Sequence, residues 1–312
     1  MMCNLEFNHT PVMLEECITA LNIKPNGIYL DGTLGGAGHS SRIASKLDGG
    51  MLIGLDKDDY ALKVSGERLS KFKNVKLVKS DFKNFEAVLD ELHIDGLDGI
   101  LLDLGVSSYQ IDTPERGFSY RYDAPLDMRM DQTKNLTAYD VVNTYSEEQL
   151  VRILYDYGEE SWAKNIVRNI IEQRRIAPIK TTGELVNIVE KSIPRKFWGK
   201  GSVAKQTFQA IRIEVNGELE GLRECVLAMA RRLKSNGRMA VLTFHSLEDR
   251  IVKNAFKLLN TDCICDKNVP FCTCNHRKEV VLVNRKPIEA SASECEQNKR
   301  STSAKLRIIE KL

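Results

Sequence analysis

Four short apolar runs recur through the first hundred residues, at 27–31, 51–56, 75–79 and 97–103, each followed by a helical or glycine-rich pattern. That alternation marks repeated βα units. A strand buried on both faces reads as a continuous apolar run, and the next parallel strand is reached over a crossover helix. The chain is thereby confined to an α/β fold built on a parallel sheet. Open sheets of this class bind ligands beyond the carboxyl ends of their strands, where the strand order reverses. Residues that close the runs, Asp31, Asp56, Ser80 with Asp81, and Asp103, are therefore the first candidates for a site.

The rhythm breaks at about Ile111. An irregular polar stretch runs to Asp131, and helical periods continue to about Val203 with no convincing strand between them. Ser146 with Gln149 reads as a capping box ahead of Leu150, Ile153 and Leu154; Trp162, Ile166 and Ile170 mark one face of the next helix. Thr181 or Thr182 caps a third, and Pro178 and Pro194 separate these helices. Apolar positions from 208 to 233 at spacings of three and four predict one long helix over 203–234, capped by Asn236 and Gly237 and followed by a strand over 238–244. Since the βα rhythm then resumes, the expected organisation is a discontinuous α/β domain, 1–110 with 217–312, holding a helical insertion at 111–216.

No apolar run approaches the length of a membrane span, and residues 1–10 are too polar for a signal peptide, so a cytoplasmic protein without membrane association is expected. The net charge of +2 says little, but residues 164–205 hold ten basic and three acidic side chains. Such an excess is either a set of solvated helix faces or a footprint for nucleic acid.

The segment from Asp31 to Ser40, DGTLGGAGHS, follows the first apolar run and opens a helix. Its glycines let backbone approach a ligand and turn helix N–H groups toward it. A dinucleotide fingerprint requires a further glycine where Ser41 stands, so the loop suits the carboxylate and sulfonium end of S-adenosylmethionine better than a pyrophosphate. Asp56 lies where an acidic side chain can bridge ribose hydroxyls, Phe82 where an aromatic face can meet an adenine, and Asp103 close to the transferable methyl. Any one of these is weak, since a glycine loop is often only a turn and a strand-end Asp only a cap.

Further segments make the reading specific: HTPVML at 9–14, LLDLGVSS at 101–108, ERGFS at 115–119, PLDMRMD at 125–131, YGEE at 157–160, TFQAIR at 207–212 and FHSLEDR at 244–250. Together they resemble the bacterial 16S ribosomal RNA cytosine-N4 methyltransferases of the MraW or RsmH family over nearly the whole chain. The resemblance implies a Rossmann-like class I S-adenosylmethionine-dependent methyltransferase core with an inserted helical domain. It also implies methyl transfer to the exocyclic amine of one cytidine in the decoding region, with 16S ribosomal RNA or the small ribosomal subunit as partner; a homodimer is a further candidate assembly, apart from the resemblance. Carried onto matching positions, the cofactor contacts are Ala37, Gly38, His39, Asp56, Phe82, Asp103 and Gln110; His39 and Gln110 come from the resemblance alone. The chain departs from the family pattern at Gln206, where Arg is usual, and at Asn298-Lys299-Arg300, where Asn-Pro-Arg is usual.

A cytosine amine is a weak nucleophile because its lone pair is delocalised into the ring, so an acceptor for its N–H is needed as the nitrogen pyramidalises. Asp103 is the candidate acceptor, Tyr109 a candidate for stacking on the base, and His245 a candidate on the substrate side or a structural histidine. Asp127, Arg129 and Asp131 are either catalytic or an ion-pair cluster. Phe197 and Trp198, among Arg174, Arg175, Arg195, Lys196 and Lys200, either stack bases or anchor a loop. Cys263, Cys265, Cys272 and Cys274 are reduced thiols or the ligands of a structural zinc, with His276 as a fifth candidate. The competing readings are a DNA or small-amine methyltransferase, a non-catalytic RNA-binding assembly factor, and an NAD-linked oxidoreductase. The zinc deaminases are excluded for want of a His-x-Glu with Pro-Cys-x-x-Cys.

Overall fold

A computed structural model describes residues 11–199, 201–266 and 271–312, so His9, Thr10, Lys200 and the polar segment 1–10 lie outside the described residues. The chain divides into two compact units, Met1–Gly105 with Leu219–Leu312, and Val106–Glu218.

The first unit opens with α1 (Leu14–Leu21), β1 (Ile28–Asp31), α2 (Gly38–Ala44) and β2 (Met51–Asp56). It continues through α3 (Asp59–Leu69), β3 (Val75–Lys79), α4 (Phe85–Glu91) and β4 (Leu97–Asp103). The chain then passes through the second unit, whose helices are α5 (Ser108–Asp112), α6 (Ala138–Thr144), α7 (Glu147–Asp156), α8 (Ala163–Ile176), α9 (Thr182–Ser192) and α10 (Lys205–Asn216). On its return the first unit adds α11 (Leu222–Arg231), β5 (Leu233–Thr243), α12 (Ser246–Leu259), β6 (Val280–Leu282), β7 (Ile288–Glu289), α13 (Ala292–Gln297) and β8 (Lys305–Lys311).

These strands form one sheet in the order β3-β2-β1-β4-β5-β8-β6, with β7 also paired to β8. The first five run parallel and β8 is antiparallel to β5. Burial alternates with the two-residue period of a strand. Leu30, Ile53, Leu55, Ile100, Leu102, Met239 and Val241 face a core shared with α4, α11 and α12. Tyr29, Leu52, Leu101, Ala240 and Leu242 face a core shared with α1 and α2. With both faces covered, the central strands had to be apolar throughout, which is why they were readable as runs. The order reverses between β1 and β4, where β1 leads outward to β2 and β4 to β5; that is the switch point at which a ligand is expected.

The second unit packs its helices around Leu150, Ile153, Ile166, Ile170, Leu185, Val189, Phe208 and Ile211. The Ser146–Gln149 capping box forms, and Thr181 rather than Thr182 caps α9. Asn216, buried at the end of α10, donates to Met128 O (2.8 Å) and accepts from Met130 N (2.8 Å), holding the PLDMRMD loop.

The single helix expected over 203–234 is instead two helices, α10 and α11. Gly217 takes the left-handed conformation (φ 57) and its N–H closes on Glu214 O, which ends α10 as a C-cap glycine does. The three-and-four apolar spacing ran through the break because Leu219 packs partly on the sheet core from outside any helix. Asn236 (φ 62) is likewise a turn inside β5, not a helix cap; β5 starts at Leu233 opposite Leu97, and its register shifts before Arg238 meets Gly99. No helix among the described residues is long and apolar enough to cross a membrane.

Candidate active site

Register fixes the site. Asp31 lies level with Gly54 of β2 on one side and Leu101 of β4 on the other. Asp56 and Asp103 therefore each extend two residues, about 7 Å of strand, past it. The loop that follows β1 crosses this gap and is tied to both neighbours. Gly32 N donates to Leu101 O (3.0 Å) and Leu34 N to Leu55 O (3.0 Å). Gly35 N donates to the Asp56 carboxylate (2.8 Å), while Asp103 N donates to Thr33 Oγ1 (2.6 Å).

Below the loop Asp31 is buried. Ser40 Oγ (2.6 Å) and Thr33 N (3.1 Å) donate to its two oxygens, so it shapes the loop from beneath and is spent in doing so. Burial still lifts its pKa to about 6, against those bonds and with a further push from Asp56. Asp56 is raised as well, by burial, although the amides of Asp58 and Gly35 hold it down.

Ala37 is a non-glycine residue at positive φ (55), fully buried at the N-terminus of α2. That conformation costs of order 1–3 kcal/mol and persists only where surroundings impose it. Here the bonds Ala37 N to Leu34 O and Ser41 Oγ to Ala37 O impose it. Gly38 comes so close to Pro11 that a Cβ would stand 2.1 Å from the proline Cγ. His39 is buried and its Nε2 donates to Val12 O (3.1 Å), while Nδ1 lies 3.7 Å from Asp103 Oδ2. Burial pushes the His39 pKa down to about 4.

Asp103 differs from the other two strand-end carboxylates. Its Oδ1 is buried and meets no hydrogen-bond partner among the described residues. Desolvation first, then the nearby Asp31 and Glu248 carboxylates, push its pKa up to about 8. An unsatisfied carboxylate oxygen at the switch point of the sheet is what a site presents when its acceptor is kept for something that arrives.

The first unit thus gathers Ala37, Gly38, His39, Asp56 and Asp103 around one loop, and Phe82 opens the turn after β3 with its ring partly buried against the sheet core. Asp81 accepts from Lys83 N as the cap of that turn. His245 ends the segment after β5, half-buried as a residue with its side chain 7% exposed, and Nε2 lies 3.0 Å from Glu248 Oε1. Tyr109 and Gln110 belong to the second unit. Gln110 is buried in α5, where its side chain accepts from Ser107 N (3.0 Å) in a capping box.

In the second unit Arg129 and Asp127 form a two-pronged pair (Nε to Oδ1 2.9 Å, Nη2 to Oδ2 2.7 Å), and Arg129 also holds Gln132 O and Lys134 O. Asp131 accepts from Thr133 N and Oγ1. The trio braces its own loop. Phe197 is 54% exposed and Trp198 37%, with Lys196 Nζ 5.0 Å above the Phe197 ring and Arg195 6.0 Å from the Trp198 ring. Neither is a core anchor, although Trp198 Nε1 donates to Ile193 O and Phe197 touches Trp162.

Sequence reasoning missed the supporting residues. Thr33, Ser40 and Glu248 stand inside the quoted motifs, but which carboxylate each serves depends on strand register and helix docking.

A sequence profile of the MraW methylase family matches residues 6–312. The ribosomal RNA small subunit methyltransferase H of Clostridium botulinum strain Kyoto is 52% identical over 309 residues, covering 99% of this chain and all of that one. Its namesake from Clostridioides difficile is 52% identical over 311 residues, again covering 99% of this chain and all of the other. Among solved structures, an rRNA methylase from Streptococcus thermophilus aligns with a TM-score of 0.40 at 11% identity, covering 96% of this chain and 95% of that one. With a profile that spans the sheet, its loop and the helical unit alike, and full-length relatives at 52% identity, the chain belongs to the MraW methylase family of S-adenosylmethionine-dependent methyltransferases.

Proposed function

We propose that this methyltransferase acts on 16S ribosomal RNA of the small subunit, moving a methyl group from S-adenosylmethionine to the N4 amine of one cytidine in the decoding region. The observation that carries the reading is Asp103: a carboxyl at the switch point with one buried oxygen left unbonded, beside a glycine loop clamped between two strands. The names of the full-length relatives supply the substrate class.

The residues present fit the cofactor. The Asp56 carboxylate accepts one backbone N–H on each oxygen, which leaves lone pairs for ribose hydroxyls. The Ala37–His39 corner would take the methionine end, and Phe82 the adenine face. Gln110 is carried as a contact by the family resemblance alone. When bound, S-adenosylmethionine supplies an electrophilic methyl on a positively charged sulfur. Asp103 ionises more readily beside a positive charge, which turns a neutral acid into an acceptor for the cytosine N–H. His39, neutral and locked by Val12, offers Asp103 no proton and so leaves that acceptor intact. The exposed Phe197 and Trp198 with their cations provide faces for unpaired bases and charges for phosphates. The target base must leave any stack to reach the donor.

The test is transfer of radiolabelled methyl to small subunits from a strain lacking the gene, with nucleoside analysis and an Asp103→Ala control. Label recovered as N4-methylcytidine and lost in the variant supports the reading. Cofactor binding with label only in DNA or small amines would move the substrate, and no cofactor binding would sink the assignment of this site.

A further inference from the structure

Among the described residues, the connection from α12 to β6 holds neither helix nor strand, and none between 260 and 279 is buried. Ile264 is 54% exposed and Phe271 81%. A segment with no apolar core of its own needs another cross-link to hold one shape. At its base Glu279 N donates to Leu259 O (2.8 Å), and the His276 ring bonds Leu258 O (3.0 Å) through Nε2, so His276 stands at the base, outside the thiol cluster. Beyond that base stand four thiols.

The sulfurs of Cys263, Cys265, Cys272 and Cys274 all lie within 4.8 Å of one another. Cys263 to Cys272 is 3.5 Å, Cys263 to Cys274 3.8 Å and Cys272 to Cys274 3.6 Å. A tetrahedron of thiolates about 2.3 Å from a zinc ion has edges of about 3.8 Å. Disulfide sulfurs would be about 2.05 Å apart, and all four cysteines are free. Backbone amides also converge on the sulfurs: Ile264 N on Cys274 (3.5 Å), Cys265 N on Cys263 (3.4 Å) and Thr273 N on Cys265 (3.3 Å). Outer-shell donors of this kind orient thiolates around a metal and spread their charge. Four soft thiol ligands this close together select zinc over the hard divalent cations.

We infer that Cys263, Cys265, Cys272 and Cys274 bind one structural zinc ion that holds the α12–β6 connection in a single conformation. The site lies outside the methyl-transfer chemistry and stands independently of the substrate assignment.

The experiment uses the full chain, purified with reductant and without chelator. Elemental analysis is expected to give about one zinc per chain, released by a mercurial that titrates four thiols. Cobalt exchanged into the site should show sulfur-to-metal charge transfer and the intense visible bands of a tetrahedral ion. A Cys272→Ser/Cys274→Ser variant should lose the metal and the slow hydrogen exchange of the Ile264 and Thr273 amides, while the sheet amides stay protected. Metal-free reduced protein that gives no cobalt spectrum on reconstitution would overturn the inference, as would two disulfides found by mass after anaerobic purification. Iron at the four sulfurs in place of zinc would overturn the choice of metal.

Discussion

His39 Nδ1 stands 3.7 Å from Asp103 Oδ2, yet the two are not an ion pair at neutral pH. Nε2 carries the imidazole proton to Val12 O, which leaves Nδ1 as an acceptor, and burial holds the ring neutral down to about pH 4. Asp103 keeps its own proton up to about pH 8. Two neutral groups therefore meet across the loop in the cofactor-free protein, and negative charge appears at Asp103 only when something positive arrives.

A stability profile follows from those directions. Between the ordinary carboxylate value and about pH 8 the folded protein holds a proton on Asp103 that the unfolded chain has released, so stability falls as pH rises. His39 acts oppositely, since the unfolded chain takes up a proton below about pH 6.5 that the folded one refuses until about pH 4. Of these two groups, only Asp103 still contributes above about pH 6.5. The thermal midpoint of the cofactor-free protein should drop from there to about pH 8, and Asp103→Asn should flatten that decline. An unchanged slope in the variant would show that Asp103 is ionised throughout.

Asp56→Asn keeps an acceptor for Gly35 N but removes the charge. Loss of charged hydrogen bonds to a ribose is worth about 1.5–3 kcal/mol, so S-adenosylmethionine affinity should fall about 10- to 100-fold. Calorimetric titration measures it. Equal affinity in the variant would remove Asp56 from the contact set.

Gly38→Ala places a methyl against the Pro11 ring. Overpacking of this kind costs about 1–3 kcal/mol, and the thermal midpoint should fall accordingly. Pro11→Ala in the same chain should return most of the loss. The double-variant cycle separates that contact from any general intolerance of Ala at the helix start.

Asn216→Leu leaves Met130 N–H and Met128 C=O buried without their partner. Each unsatisfied group costs about 1–3 kcal/mol, which should destabilise the helical unit while the sheet unit keeps its protection. Hydrogen exchange read separately over 106–218 and over the sheet strands would detect this. Uniform loss of protection would contradict it.

Phe197→Ala and Trp198→Ala should each weaken binding to a single-stranded decoding-region RNA by about 1–3 kcal/mol. S-adenosylmethionine affinity should stay unchanged. Fluorescence anisotropy at two salt concentrations separates stacking, which tolerates salt, from the Arg195 and Lys196 contribution, which does not. No change in RNA affinity for either variant would return this face to the solvated surface.

The sequence alone determined the α/β class and the four parallel strands, because a strand buried on both faces must be apolar along its whole length. It also determined which residues stand at the strand ends, and the Ser146–Gln149 capping box of the helical unit, where a side chain answers a backbone group three residues away. The break at Gly217 was beyond it, since apolar spacing does not record whether Leu219 packs from a helix or from a turn. Tertiary structure also decided which carboxylate is which. Asp31, Asp56 and Asp103 are equivalent as letters after a strand, yet Asp31 is consumed by Ser40 and Thr33, Asp56 is held by two amides, and Asp103 keeps an oxygen unbonded. The four thiols, spaced two and seven residues apart in the chain, come within 4.8 Å of one another only in the tertiary structure. Local pattern specifies where a side chain can point; what it meets there depends on residues far away in the chain, and only packing brings those together.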